Sequence, residues 1–379
     1  MSKTVTLGSV CSLVNGKSFK PSDWSTVGVP IVRIQNLNGS DSPFNHFAGS
    51  LANQVPIKSG DLLLAWSGTP GTSFGAHIWQ GGDAILNQHI FRCDIDTTAV
   101  TAAWAKFVIN MQLNQLIGLA HGGVGLKHVT RGIVESLKIP LPSLAEQRRI
   151  AEILDRAETL RAKRNAALAQ LDTLTQSVFL DLLREAGQSV ATVSIEDGME
   201  AIIDYRGKSP TKTAVGVPLV TARVVKGGAL LEPNEFIAEE DYDAWMRRGI
   251  PNRGDVLFTT EAPLGEVAQL DGRKVALAQR LLVLRGKPSL VDNTFLKHAL
   301  TAQEVKKQID ARATGSTVRG IRQRELRKVM IPVPPFALQR DFARRVAAVE
   351  KLKAAHRTSL AELNALFAML QHRAFRGEL

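Results

Sequence analysis

The stretch from Ile139 to Leu183 constrains this chain more than any other, because it is written twice. Ile139-Pro-Leu-Pro is followed by Ser-Leu-Ala-Glu-Gln-Arg-Arg-Ile, and Ile331-Pro-Val-Pro repeats it at a shift of 192 that lays Gln147-Arg148 onto Gln339-Arg340. The register then holds for an apolar seam: Ile150, Leu154, Leu160, Leu168, Leu171, Leu174 and Val178 fall on Phe342, Val346, Leu352, Leu360, Leu363, Leu366 and Leu370. Spacings of three and four place such residues on one helix face. Neither proline nor glycine interrupts Leu144 to Leu183, so at 1.5 Å per residue the first copy predicts a rod of roughly 60 Å. Ser143 and Glu146 have the spacing of a capping box. Ala337-Leu338-Gln339 lacks that glutamate, which predicts a less securely capped second helix. Two unrelated amphipathic helices are the plain alternative, but they would not share a proline motif and a Gln-Arg pair.

A repeat of about 190 residues in a chain of 379 predicts two similar domains, each able to bury its own core. Further echoes support this. Gly28-Val29-Pro30-Ile31-Val32 returns as Gly216-Val217-Pro218-Leu219-Val220, a turn entering a strand. Lys58-Ser59-Gly60-Asp61 and Asn252-Arg253-Gly254-Asp255 are polar turns, each feeding an apolar strand. The strand near Gln88-His89 corresponds to that near Gln279-Arg280, and helical stretches follow at 102–117 and 293–311. Each copy then has a glycine-bearing basic loop, in which Gly123 and Lys127 correspond to Gly315 and Arg319. Strands and helices do not alternate regularly, so the expected class is α+β, with two repeated mixed domains each followed by a long helix. The expected boundaries are 1–142 and 186–334 for the domains and 143–185 and 335–379 for the helices, with 186–189 as a hinge.

Catalytic signatures are missing. Gly122-Gly123-Val124-Gly125 has the wrong spacing for a dinucleotide loop and reads as a turn. Glu304-Val305-Lys306 has a nuclease-like spacing but lies in a helical stretch with no Pro-Asp upstream. There is no Walker loop, no Asn-Pro-Pro-aromatic methyltransferase signature, no zinc-binding pair and no nucleophile elbow. No catalytic or metal-ligating residue is therefore assigned. Cys11 and Cys93 fit no metal or disulfide framework, and there is neither a signal peptide nor a membrane-spanning run, so the expected location is the cytoplasm.

The net charge of +11 and pI near 9.8 favour polyanionic partners. Arginine and lysine grip phosphates or guanine edges, and asparagine or glutamine can pair with adenine twice. Such groups sit in the loops of both copies: Lys17, Arg33, Gln35 and Asn36, then Arg206, Lys208, Arg223 and Lys226. Lys127 and Arg319, in glycine-bearing loops, are expected on phosphates, with charge pairing at a helix end as the competing role. Base reading is expected from Arg33, Gln35, Ser67, Thr69, Gln88 and His89 in the first domain, and from Arg223, Thr260, Glu261, Gln279 and Arg280 in the second.

With its two divergent domains, its paired helices opening in Ile-Pro-Leu-Pro-Ser-Leu-Ala-Glu-Gln-Arg-Arg-Ile-Ala and Ile-Pro-Val-Pro-Pro-Phe-Ala-Leu-Gln-Arg-Asp-Phe, and its closing Ala374-Phe375-Arg376-Gly377-Glu378-Leu379, the chain resembles the specificity subunit of type I restriction-modification systems. The resemblance implies a non-catalytic subunit that reads a bipartite site in double-stranded DNA, one half-site per domain. It implies long helices that pair antiparallel, set the spacing and dock two modification subunits, leaving open a translocating restriction subunit. It implies no cofactor in this chain, S-adenosylmethionine belonging to the methyltransferase partners. A helical scaffold that never touches DNA and a self-contained DNA-modifying enzyme are the alternatives.

Overall fold

The computed structural model describes residues 3–37, 42–68, 74–118, 127–205 and 209–379. The chain forms two compact units, one made of Met1–Asn165 with Thr358–Leu379 and the other of Ala166–Arg357. Each unit takes the start of one long helix and the end of the other. Those helices span Leu144–Ala186 and Phe336–Arg376. Gly187, at φ +49°, terminates the first in a conformation that glycine adopts without steric cost.

In the first unit an antiparallel sheet runs in the order Cys11–Asn15, Ile90–Ile95, Leu62–Ala65, Gly75–Ile78. The second unit repeats it as Met199–Asp204, Leu281–Gly286, Val256–Thr259, Val267–Gln269. A smaller sheet in each unit contains one parallel pair: Val29–Val32 beside Ala84–Leu86, and Val217–Val220 beside Ala276–Leu277. The repeated Pro-containing motif is itself a strand. Lys138–Leu141 pairs with Lys3–Thr6, and Met330–Val333 pairs with Ala191–Ser194, so each domain is closed by its own first and last strands.

The repeated glycines have a local cause. Gly60 and Gly254 adopt φ +93° and +85°, and the aspartate that follows each accepts the amide three residues back, Lys58 at 2.9 Å and Asn252 at 2.7 Å. These are equivalent turns, each closed by its aspartate side chain and feeding a buried strand. Gly28 and Gly216 are likewise left-handed, and a Cβ there would fall 2.3 Å from the Phe47 carbonyl oxygen or 2.1 Å from that of Ile237. The helical stretches after the sheets each break in two, into Ala102–Met111 with Leu113–Gly118 and Asn293–Thr301 with Gln303–Arg312.

The helical seam departs from expectation at both ends and at four leucines. Ile150 and Leu154 bury into the first domain's core beside Trp104 and Phe107, and Phe342 and Val346 pack with Phe295 and Ala299 of the second. Each such side chain contributes about 1.5–3 kcal/mol by leaving water. Leu168, Leu171, Val178, Leu360, Leu363 and Leu370 are half-buried. Leu160, Leu174, Leu352 and Leu366 are 50, 46, 53 and 41% exposed and lie outside the packed stripe. A helix that buries against one neighbour offers a stripe narrower than the apolar arc of its sequence. Two polar residues, Thr175 and Lys353, occupy the buried line instead.

Antiparallel pairing is explicit in the second unit, where Lys353 meets Asp172 at 2.8 Å while Phe342, further back on its helix, meets Phe179, further on along the other. The first unit has the counterpart: Arg161 donates to Asn364 at 2.6 Å and lies over the Phe367 ring at 4.5 Å. Lys353 is Arg161 shifted by 192, and Asn364 is Asp172 shifted by the same amount. The first helix start is half of a capping box. Ser143 accepts the Glu146 amide at 3.3 Å, while the Glu146 carboxylate turns to Arg149 at 2.7 Å, and that ion pair holds it below the usual carboxylate range.

Candidate nucleic-acid interface

Both units build the same backbone platform where the strand 62–65 or 256–259 ends. In the first unit the Trp66 amide donates to the His89 carbonyl at 3.2 Å, and Val129 donates to the Trp66 carbonyl at 3.0 Å. In the second, Thr260 donates to Arg280 at 3.0 Å and Ile321 to Thr260 at 2.9 Å. Ser67 pairs with His128 across a two-residue ladder, and Glu261 bridges Gly320 at the equivalent place. The carboxyl ends of the parallel strands deliver the neighbouring loop: Asn87 donates to Val32 at 3.0 Å, and Ala278 to Val220 at 2.9 Å. Loops leaving the carboxyl ends of parallel strands are a recurrent place for ligand contacts.

Side chains on this shared platform differ. In the first unit Ser67 Oγ lies 2.6 Å from His128 Nδ1, and Gln88 Nε2 lies 3.2 Å from His89 Nε2. Trp66 stacks on Phe91 with centroids 5.3 Å apart, donates Nε1–H to Asn15 at 3.1 Å, and stands 5.6 and 6.0 Å from the His89 and His128 rings. Burial, reinforced by repulsion from His128, lowers the His89 pKa and favours its neutral ring. A serine beside a histidine has the parts of a nucleophile, but Ser67 is 2% exposed and no carboxylate orients His128 among the described residues, so the pair is better built to position a ring than to attack.

In the second unit Arg280 forms an ion pair with Glu261 at 2.5 Å, and Gln279 donates to Ser209 at 3.2 Å. A cleft of about 400 Å³ is lined by Thr260, Glu261, Gln279 and Arg280, and an adjoining one of about 290 Å³ by Arg223, Gln279 and Arg280. Arg280 holds φ +70°, a strained backbone for a side-chain-bearing residue.

The structure thus gathers Ser67, Gln88 and His89 in one unit and Arg223, Thr260, Glu261, Gln279 and Arg280 in the other. Lys17 is exposed beside this platform, its backbone bridging Asn87. Arg33 leaves the end of a parallel strand and lies over the Trp24 ring at 5.6 Å, while Gln35 is exposed in the next turn. Asn36 braces its own loop: its oxygen accepts the Arg33 amide at 3.0 Å and its amide donates to the Ser42 carbonyl at 3.0 Å. Lys226 is not brought to the platform. It sits in the hairpin Val225–Lys226/Ala229–Leu230, whose turn at Gly227 lines a cleft with Lys297, Lys353 and Arg357. Arg319 donates to the Asp310 carbonyl at 2.6 Å and lies 3.5 Å from the Asp310 carboxylate, near the end of the helix Gln303–Arg312. Thr69, Arg206, Lys208 and the Lys127 side chain lie outside the described residues.

Trp66 and His128 belong to the platform but carry no signature in the sequence. The repeat register does mark them, since it sets Trp66 and His128 against Thr260 and Gly320. Among the described residues no group of three His, Cys, Asp or Glu side chains is placed to hold a metal, and no helix is long and apolar enough to cross a membrane.

Comparison with known proteins agrees with this arrangement. The family model for the type I restriction modification DNA specificity domain matches residues 2–170 and 246–365. The chain is 22% identical to the type I restriction enzyme EcoBI specificity subunit of Escherichia coli, with 99% of this chain and 85% of that protein aligned. It is also 22% identical to the MjaVIII specificity subunit of Methanocaldococcus jannaschii over 79% of this chain and 74% of that one. Among solved structures, the S subunit of a type I restriction-modification system from M. genitalium shares the fold at a TM-score of 0.63 and 14% identity, covering 98% of this chain and 96% of that one. A chain from a structural study of complex assembly and conformational transition in the type I R-M system gives a TM-score of 0.52 at 20% identity, covering 100% and 98%. Two family-model segments that fall on the repeated domains and their helices, in a chain with this fold, place the protein in the type I restriction-modification DNA specificity family.

Proposed function

We propose that the chain reads a bipartite double-stranded DNA site, one half-site through the platform of each unit, on behalf of modification subunits that dock on its long helices. The observation that carries this reading is the shared backbone with unlike side chains. Trp66, Ser67, His89 and His128 in one unit stand where Thr260, Glu261, Arg280 and Gly320 stand in the other, and only Gln88 and Gln279 agree. A conserved frame with varied groups is what two different half-sequences require, because base edges are distinguished by the pattern of donors and acceptors offered to them.

Catalysis resides in the partners in this reading. The chain offers recognition groups and buried structural pairs, and S-adenosylmethionine would bind the two modification subunits, with adenine as the methylated base. A restriction subunit is left open as a further partner, and the cytoplasm is the compartment where this assembly meets DNA. The names of the specificity-subunit relatives and the assembly study of a type I R-M system support the reading. The exposed leucines Leu160, Leu174, Leu352 and Leu366 give the helices apolar surface for such docking.

The test is reconstitution with the cognate modification subunits, followed by mapping of methylated adenines in genomic DNA with and without this chain. A bipartite motif that appears only with the chain is the expected result. Methyl transfer by the lone chain from labelled S-adenosylmethionine would overturn the assignment of catalysis to the partners.

A further inference from the structure

Ser67 and His128 face each other at hydrogen-bond distance on the first unit's platform. Ser67 is buried and its hydroxyl carries one hydrogen, whose only acceptor among the described residues is His128 Nδ1 at 2.6 Å. With Ser67 as the donor to Nδ1, the ring carries its hydrogen on Nε2. The ring is also fixed from its sides. His89 stacks near it at 6.4 Å with 28° between planes, and Trp66, itself pinned by Asn15 and Phe91, stands 6.0 Å away. His128 is half-exposed, at the edge of the platform that also presents Gln88.

We propose that Ser67 donates to Nδ1 and that His128 is thereby a specificity-determining residue of the first half-site, a fixed hydrogen-bond donor through Nε2 that excludes cytosine at one position; this rests on the reading that the first unit recognises DNA. In the major groove guanine offers N7 and O6, adenine N7 and thymine O4 as acceptors, whereas cytosine offers only its amino donor. A donor held at Nε2 finds a partner on three bases and meets another donor on the fourth. Ser67 is the positioning residue. The second unit has no counterpart donor here, because Gly320 takes the place of His128 and Glu261 that of Ser67.

The experiment uses the reconstituted complex of this chain with its modification subunits on duplexes randomised across the site, and reads the methylated products. The wild-type complex is expected to return a bipartite motif with cytosine depleted at one position of one half. His128→Ala is expected to raise cytosine there about tenfold, the effect of losing a base contact worth roughly 1–3 kcal/mol, with the other half-site unchanged. His128→Gln keeps an N–H donor and should retain the exclusion in part, while Ser67→Ala frees the tautomer and should relax the same position alone. An unchanged motif in His128→Ala with a wild-type melting curve overturns the proposal, as does relaxation spread over all positions. If His128→Ala does not fold, Ser67→Ala decides, and its failure to relax any position overturns the proposal. A wild-type complex that methylates without a bipartite motif overturns the DNA-reading assignment itself and this proposal with it.

Discussion

Gln147 and Gln339, 192 residues apart in the sequence, make the same three hydrogen bonds. Each side-chain oxygen accepts an amide that leads into the domain's own helix, Thr101 or Asp292, at 2.9 Å. Each side-chain nitrogen donates to two carbonyls, Ala99 and Pro142 in one unit and Leu290 and Pro334 in the other, at 2.8–3.0 Å. Both glutamines are fully buried. One amide group thus ties the start of a long helix to the loop before the domain helix and to the proline strand that closes the sheet.

From this we expect Gln147→Leu and Gln339→Leu to cost about the same, roughly 2–4 kcal/mol, since each orphaned buried group costs about 1–3 and the neighbours relax in part. Glutamate should not rescue either, because it cannot donate to the two carbonyls. Urea unfolding of the two variants measures this. A cost below 0.5 kcal/mol at either position, an estimate on the same scale, would show that water replaces the side chain.

The Gln-Arg pair was legible as a repeat, but not as a lock, because two of each glutamine's three partners lie 46 to 49 residues away. The Gly-Asp turns were legible in kind, since glycine and aspartate mark a positive-φ turn without tertiary help. Helical periodicity located both rods but overcounted their seam, for period alone does not say how wide a stripe the neighbour covers. Trp66 and His128 escaped because a two-residue ladder joining positions 61 residues apart leaves no local pattern. Asn36 and Lys226 looked like recognition groups by residue type, yet one is spent on its own loop and the other sits in a different hairpin.

Arg280 couples strain to recognition. Its left-handed backbone costs a non-glycine residue about 1–2 kcal/mol, and its ion pair with Glu261 is too exposed to return much of it. Arg280→Gly is therefore expected to melt no lower than the wild type while weakening discrimination about tenfold at one position of the second half-site alone. Circular-dichroism melts and methylation of a randomised library check the two halves of this expectation. A lower melting temperature with an unchanged motif would make Arg280 structural.

His298 gives the second unit an acid limit. Burial, with the ammonium groups of Lys297 and Lys353 opposing and Glu350 favouring its charged form, lowers its pKa to about 4. Its Nε2 is buried without a hydrogen-bond partner among the described residues, and the ring packs against Phe179 and Phe342. The unfolded chain therefore takes up this proton near pH 6.5, before the folded one does. Above that pH both states are neutral and the group has no effect. As pH falls from about 6.5 to 4, stability should drop by at most about 3 kcal/mol. His298→Leu should gain on the wild type progressively through that window in urea midpoints. Parallel midpoints from pH 7 to 4 would assign the acid sensitivity elsewhere.

The helices themselves are expected to act as a ruler, and the matched pairs determine how that must be tested. Arg161 with Asn364 in one unit and Lys353 with Asp172 in the other are equivalent pairs at the 192 shift, and polar contacts between helices help to fix register. Four residues inserted after Ala167 alone would advance one rod by a turn and leave one of the two pairs out of step. Inserting four after Ala167 and four after Ser359, its counterpart at the 192 shift, restores both pairs. The paired insertion adds roughly 6 Å along the rods, less than two base-pair steps of about 3.4 Å. It should keep both half-sequences and lengthen the unread gap by about one or two base pairs, whereas the single insertion should assemble and methylate less well. If the rods serve only as partner-docking cores, the paired variant will be fully active with an unaltered gap, and methylome mapping separates these outcomes.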